Sequence, residues 1–222
     1  MTKEFLRSNF MVLFVGVTLI FLYPIVIIPK GDLELLINQN HYSTLDVFFK
    51  YITHLGDGSL LAILLITLLF VNYGSAILAA FSIILQSIFV SLFKRWIFKG
   101  LERPIAFFEG NVQLNFVDGV DVHSSNTFPS GHTATGFAIF VILFIVINNR
   151  GVIFSTVLFL LAFLVGFSRI YLLQHFIIDV YFGAIFGVLS VLLSLYLLET
   201  LFTENQLNRF KNTSLKSALS KK

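Results

Sequence analysis

The segment Ser168-Arg169-Ile170-Tyr171-Leu172-Leu173-Gln174-His175-Phe176-Ile177-Ile178-Asp179 sets a guanidinium, an imidazole and a carboxylate in otherwise apolar chain. His175 and Asp179 stand four apart, a spacing that puts both on one face of a helix. A carboxylate in that position accepts one imidazole N–H, fixes the tautomer and leaves the other ring nitrogen to act as a nucleophile. Arg169 supplies a planar fork of donors matched to phosphate oxygens. The plainer alternative is a snorkelling arginine beside a satisfied interfacial pair. An acid a full turn inside a lipid-embedded helix is costly, which tilts the balance toward function.

A second cluster, Phe128-Pro129-Ser130-Gly131-His132-Thr133, stands directly before an apolar run and therefore marks a helix start. Ser130 suits the cap, and the free N–H groups beyond it favour an anion. Gly131 lets an oxyanion approach the backbone, and His132 beside it can protonate a leaving oxygen. The competing reading is an ordinary capped helix with an incidental histidine. A third cluster runs Lys94-Arg95-Trp96-Ile97-Phe98-Lys99-Gly100-Leu101-Glu102-Arg103-Pro104. Its four bases call for a phosphate-bearing ligand or, more simply, acidic lipid headgroups.

What must position these clusters is a membrane-embedded bundle. The chain has 222 residues, 57% hydrophobic and 12% charged, with a mean hydropathy of +0.89. A soluble domain is about a quarter charged, so too little polar surface exists to cover a globule in water. Apolar runs predict spans near residues 10–29, 59–73, 75–98, 131–148, 152–169 and 176–200, against the roughly 20 residues a crossing needs, the second of them short. The almost unbroken apolar stretch from Leu60 to Phe93 is divided at Asn72-Tyr73-Gly74-Ser75, a turn-type cluster. The first run, beginning after Met1 to Arg7, lacks a small-residue cleavage site and reads as a retained span.

The expected fold is an all-α integral membrane protein with six transmembrane helices. Residues 30–58 mix acids with Leu, Ile and Phe and suit a helix lying in the interface plane. Residues 99–130 read as an extramembrane loop between the third and fourth spans. One domain occupies 1–202, and 203–222 forms a polar, basic, mobile tail. In this arrangement the three clusters fall on one membrane face, as a nucleophile, an acid and several positive donors.

Basic residues bear on orientation. The face with both termini collects Lys3, Arg7, Arg150, Arg209, Lys211, Lys216, Lys221 and Lys222, eight of the 15. The other face carries seven, together with nine of the 12 acids, and its bases have a catalytic explanation. That favours cytoplasmic termini, an extracytoplasmic site and residence in the cell membrane. Cysteine is absent, which excludes disulfides, thiolate zinc sites and cysteine nucleophiles. No basic face exists outside the tails to suit nucleic acid.

In these motifs the chain resembles the type 2 phosphatidic acid phosphatase superfamily, specifically its membrane lipid phosphatase branch and its undecaprenyl-diphosphatase-like members. That family's pattern is a lysine six residues before Arg-Pro, then Pro-Ser-Gly-His, then Ser-Arg with His and Asp at fixed spacing. Pro129 to His132 match the second part, and Ser168, Arg169, His175 and Asp179 match the third. The first part departs: Arg103-Pro104 is present, but Trp96 stands where lysine belongs. Extra loop residues around Phe98-Lys99-Gly100 would let Lys94 take that place, with Arg95 or Lys99 as substitutes.

The resemblance implies metal-independent, two-step phosphoryl transfer without a cofactor. His175 would form a phosphohistidine, Asp179 would orient it, and His132 would serve as acid and then base. Lys94, Arg103, Ser130, Gly131 and Arg169 would hold the phosphate oxygens. The implied substrate is a lipid phosphate, a polyprenyl diphosphate foremost, with phosphatidylglycerophosphate, phosphatidate and lipid A phosphate as competitors. A non-catalytic lipid-binding or transport protein, or a phosphatase of a soluble ester, are the alternatives. Outside the motifs, His54-Leu55-Gly56-Asp57-Gly58-Ser59 reads as a turn with Asp57 or Ser59 capping the second span. His41 and His123 read as exposed loop residues, and Glu109, Asp118 and Asp121 as solvated loop acids.

Overall fold

The computed structural model describes residues 2–110, 112–147 and 151–219. The sequence-based end of the fourth span at Asn148, and the basic residues Arg150, Lys221 and Lys222, lie outside them. Regular structure among the described residues is helical, apart from one isolated bridge between Glu102 and Ser125. The helices are α1 (Thr2–Leu6), α2 (Asn9–Ile27), α3 (Asp32–Asn38), α4 (Ser43–Ile52), α5 (Gly58–Val71) and α6 (Tyr73–Ser91). Then come α7 (Pro104–Phe107), α8 (Gly131–Ile147), α9 (Val152–Tyr171), α10 (Ile177–Leu201), α11 (Glu204–Lys211) and α12 (Leu215–Leu219).

Four helical stretches are long and apolar enough to cross a membrane: α2, α6 continued to Ile97, α9 and α10. A fifth arises if Ser43–Gly56 and Gly58–Val71, bent by 49° at their junction, are one broken span. The apolar helix α8, with 17 residues, is shorter than those four stretches. It is also the most enclosed, because α9 and α10 pack along its length and bury residues from Thr133 to Ile145. In lipid no hydrophobic force drives such helices together, so close packing does. Gly183 of α10 shows how close: a Cβ there would come within 2.6 Å of the Ser130 carbonyl oxygen. By contrast, α2 buries only Phe10 and Phe14 and presents most of its surface outward, as expected of a helix at the rim.

The break between α5 and α6 falls where the turn residues predict it. Asn72 caps α6, its side chain accepting from the Ser75 N–H at 2.8 Å. Beyond α10, residues 204–219 carry two short helices. Thr203 and Gln206 form a reciprocal cap, Phe202 meets Phe210 edge-on, and Tyr73 N donates to Thr213 O at 2.9 Å. Periodic apolar residues give even this polar stretch one face to bury.

At the site end, the two segments between spans form a braced cover. The stretch expected as one interfacial helix is divided into α3, α4 and a 3-10 turn, Thr53–Gly56. Asn38 and Asn115 lock α3 to the long loop through three mutual hydrogen bonds. Glu34, fully buried, accepts from Ile177 N at 2.7 Å and so caps α10 from another element. His41, expected in an exposed loop, instead stacks on Tyr171 and pairs with Asp46 at 3.1 Å. His123 is exposed as expected. So are Glu109, Asp118 and Asp121, though Lys50 and Gln174 donate to the carbonyls of the last two.

Candidate active site

His175 lies in the short turn between α9 and α10, with only 2% of its surface exposed. Leu173 turns left-handed (φ 53°), and the N–H groups of Gln174 and His175 both fold back onto the Arg169 carbonyl. The His175–Asp179 pair is therefore not held by a shared helical face. Asp179 is the third residue of α10, and its Oδ2 accepts the Phe176 N–H at 2.9 Å, closing the helix start. The same oxygen lies 3.4 Å from His175 Nδ1. Thr127 stands between them, 3.3 Å from Nδ1 and donating a short hydrogen bond to Asp179. Both acceptors engage Nδ1, which leaves Nε2 with its lone pair.

Burial pushes the His175 imidazole well below the ordinary histidine value of 6.5, aided by the positive charges of Arg103, Lys94 and Arg169 and by His132. The ring is a free base at neutral pH. Such a nitrogen, ringed by cations, is suited to attack a group that brings negative charge with it.

The donors come from four elements. Arg103, buried in the long loop, is fastened through Nε to Ser125 O at 2.9 Å and through Nη1 to Gln174 O and Oε1. Burial lowers its pKa, and Asp179 opposes that shift. Arg169, on the last turn of α9, gives Nη1 to Thr53 Oγ1 at 2.7 Å. Its Nε is buried with no hydrogen-bond partner. Ser130 caps α8, accepting from Thr133 N at 3.3 Å, while its own N–H goes to the Asp179 carbonyl at 3.0 Å. At Gly131 a Cβ would meet nothing nearer than Val90 Cγ1 at 3.7 Å, an ordinary contact.

Lys94 lies in an irregular stretch of helix. After Ser91 the helix widens into a π-turn, Leu92–Ile97, closed by Phe98 N on Phe93 O at 2.8 Å. A π-turn takes up extra residues without ending a helix and is frequent at functional sites. Lys94 there is close enough to act electrostatically on Arg103, Asp179, Arg169 and His175. Trp96, at 80% exposed, points away, and Arg95 and Lys99 are exposed too.

Three participants escape a reading of the motifs. Thr127 carries no signal beyond its closeness to Pro129. Glu34 looked like an ordinary interfacial acid. Asp57 takes the position before α5 but makes no side-chain cap there. Its carboxylate instead holds His132 Nε2 at 2.8 Å through one oxygen and His54 Nδ1 at 2.8 Å through the other.

A family model described as the PAP2 superfamily matches residues 75–202, which contain every motif residue from Lys94 to Asp179. The chain belongs to the PAP2 superfamily. It is an enzyme of that family, a membrane lipid phosphatase. The crystal structure of Aquifex aeolicus LpxE is similar at 32% identity and a TM-score of 0.64, over 75% of this chain and 94% of that one. A PAP2-type phosphatidylglycerolphosphate phosphatase from Bacillus subtilis shares the fold, at 21% identity and a TM-score of 0.52, covering 88% and 96% of the two chains. The bacitracin transport permease protein BcrC of Bacillus licheniformis is 42% identical over 67 residues, 30% of this chain. That match spans 31% of the relative's length.

Proposed function

We propose that this PAP2 protein hydrolyses a lipid phosphate or diphosphate through a phosphohistidine, with a polyprenyl diphosphate as its foremost substrate. In the first step His175 Nε2 attacks phosphorus, a P–N bond forms and the P–O bond to the leaving group breaks. His132 gives its proton to the departing oxygen. In the second step His132 takes a proton from water, the water oxygen attacks phosphorus, and the P–N bond breaks to release phosphate. Lys94, Arg103, Arg169, Ser130 and the Gly131 N–H hold the oxygens on which charge accumulates. Asp179, with Thr127, keeps His175 in the reactive tautomer. No step is routed through a metal or other cofactor.

The observation that carries the lipid reading is a groove of about 500 Å3 between the π-turn and α10. Phe93, Phe98, Phe128, Phe182 and Phe186 line its apolar walls, and Thr127 and Asp179 also line it. Lys30 lies at the same groove, its ammonium 4.1 Å from the Phe176 ring. A chain lying in this groove would bring its phosphate to His175 from the side, which a water-soluble ester does not require. The permease name borne by one relative favours a transport reading. The intact set of two histidines and two arginines favours hydrolysis over it.

Six crossings complete the proposal, with α8 as a short enclosed span and α5 continuing the bent α4 segment. Residues 1–202 form the phosphatase domain, 203–222 follow as a basic appendage, both termini face the cytoplasm and the site faces outward. The test is phosphate release in detergent with EDTA from polyprenyl diphosphate, phosphatidylglycerophosphate, phosphatidate, lipid A and a sugar phosphate. Release from the polyprenyl substrate above the others is the expected result. Inactivity on every lipid, or a His175→Ala variant as active as wild type, would sink the mechanism.

A further inference from the structure

The turn Thr53–Gly56 and the residue after it lie outside the segment matched by the family model, yet they make two contacts with the site. Thr53 accepts from Arg169, and Asp57 accepts from His132. The approach is close. A Cβ on Gly56 would fall 2.6 Å from the His132 carbonyl oxygen and 2.6 Å from Val165 Cγ1. Glycine at 56 is what allows the following carboxylate to reach the imidazole.

We propose that Asp57 is a positioning residue for the general acid, acting through His132. This rests on the phosphatase reading above. With Nε2–H held on the Asp57 carboxylate, the His132 ring can turn only so as to offer Nδ1 to the leaving oxygen. As an acid His132 carries both protons: the one on Nδ1 transfers, and the one on Nε2 stays with Asp57. Arg169 from α9 and Lys94 from the π-turn act electrostatically on this ring, and the Asp57 carboxylate is in direct contact with it. His54 holds the second Asp57 oxygen and has a side chain 63% exposed, so the carboxylate is fixed from both sides at the edge of water.

The consequence is selective, because only poor leaving groups need a proton in the transition state. The experiment compares a long-chain alkyl phosphate with a nitrophenyl phosphate bearing a chain of equal length, using the full-length protein in detergent. Asp57→Asn should lower kcat on the alkyl ester about 10- to 100-fold, within the ~10²–10⁴-fold a whole general acid supplies. The nitrophenyl ester should lose less than about threefold, and KM should hardly move for either, because protonation of the leaving group is a transition-state event. Asp57→Glu, which keeps a carboxylate, should recover part of the alkyl rate. Equal losses on both esters, or an alkyl rate untouched in Asp57→Asn, would overturn the proposal. A wild type that cleaves neither ester removes the phosphatase reading and this inference with it. An active wild type with an unselective Asp57→Asn removes the inference alone.

Discussion

Two histidine–carboxylate pairs sit side by side in this protein, and they are built in opposite ways. His175 and Asp179 are both 2% exposed, four residues apart, and joined through a helix start. His132 and Asp57 are 37% and 32% exposed, 75 residues apart by their numbers, and joined only by the packing of two elements. The difference fits the work proposed for each. A nucleophile gains from dryness, which keeps its nitrogen unprotonated and undersolvated. A general acid must give up a proton and regain one each turnover, so it needs contact with water.

The largest expected effect separates the pairs by their chemistry. His175→Ala should abolish turnover by at least about 10⁴-fold, the scale seen when a nucleophile is removed. Acid-quenched labelling should find no phosphoenzyme in it. His132→Ala should lose roughly 10²–10⁴-fold on a lipid ester while retaining labelling from a substrate with a good leaving group. Labelling in His175→Ala would break the assignment of the two roles.

Next in size is the support of the dry pair. Thr127→Val keeps the shape but removes the hydroxyl between His175 and Asp179. A hydrogen bond to a charged group is worth about 1.5–3 kcal/mol, so a loss of roughly 10- to 100-fold in kcat is expected. No change in kcat would show that the 3.4 Å contact with Asp179 suffices by itself.

A pH profile sharpens the comparison further. The nucleophile acts as the free base, so activity is lost on the acid side as His175 gains a proton. Burial first, and the neighbouring positive groups second, disfavour that proton. The acid limb of kcat/KM should therefore lie below the ordinary 6.5. A limb at or above that value would mean that the buried ring is not what titrates.

The smallest effect concerns the brace. Desolvation raises the Glu34 carboxyl above its ordinary 4.5, with the Ile177 N–H as the main opposing influence. A raised folded pKa means stability present below the unfolded value and lost as pH rises through the folded one. Thermal melts of wild type should therefore fall as pH rises above 4.5, and those of Glu34→Gln should fall less. Glu34→Ala, which orphans the Ile177 N–H, should cost about 1–3 kcal/mol at any pH. A wild-type melt that stays flat across this range would remove the buried carboxyl as the titrating group.

How much could be read in advance differs between the two pairs. His175, Asp179 and Arg169 were legible because their types and spacing coincide with a helix start at a span end. A shared helical face, which the four-residue spacing suggests, is not what holds the pair. Capping of α10 by Asp179 produces the same proximity, and spacing by itself does not distinguish the two. Asp57 was read as a helix cap because aspartate before an apolar run usually is one. Nothing in its neighbours reveals that a carbonyl of α8 passes against Gly56. Lys94 lay between: the sequence exposes the misfit at Trp96, and the structure adds a π-turn around Lys94 and an exposed Trp96.

The sequence by itself determined that this chain lives in lipid, where it turns, and that its phosphate-type motifs gather at one end of the bundle. Those are properties of composition and of periodicity along the chain, and they need no knowledge of neighbours. Tertiary structure decided which carboxylate contacts which histidine, what holds the Arg169 guanidinium, and that Asp179 lines a groove walled by phenylalanines. Those depend on how helices meet across tens of residues, and the close approach of Gly56 to the His132 carbonyl leaves no periodic mark in the chain that makes it.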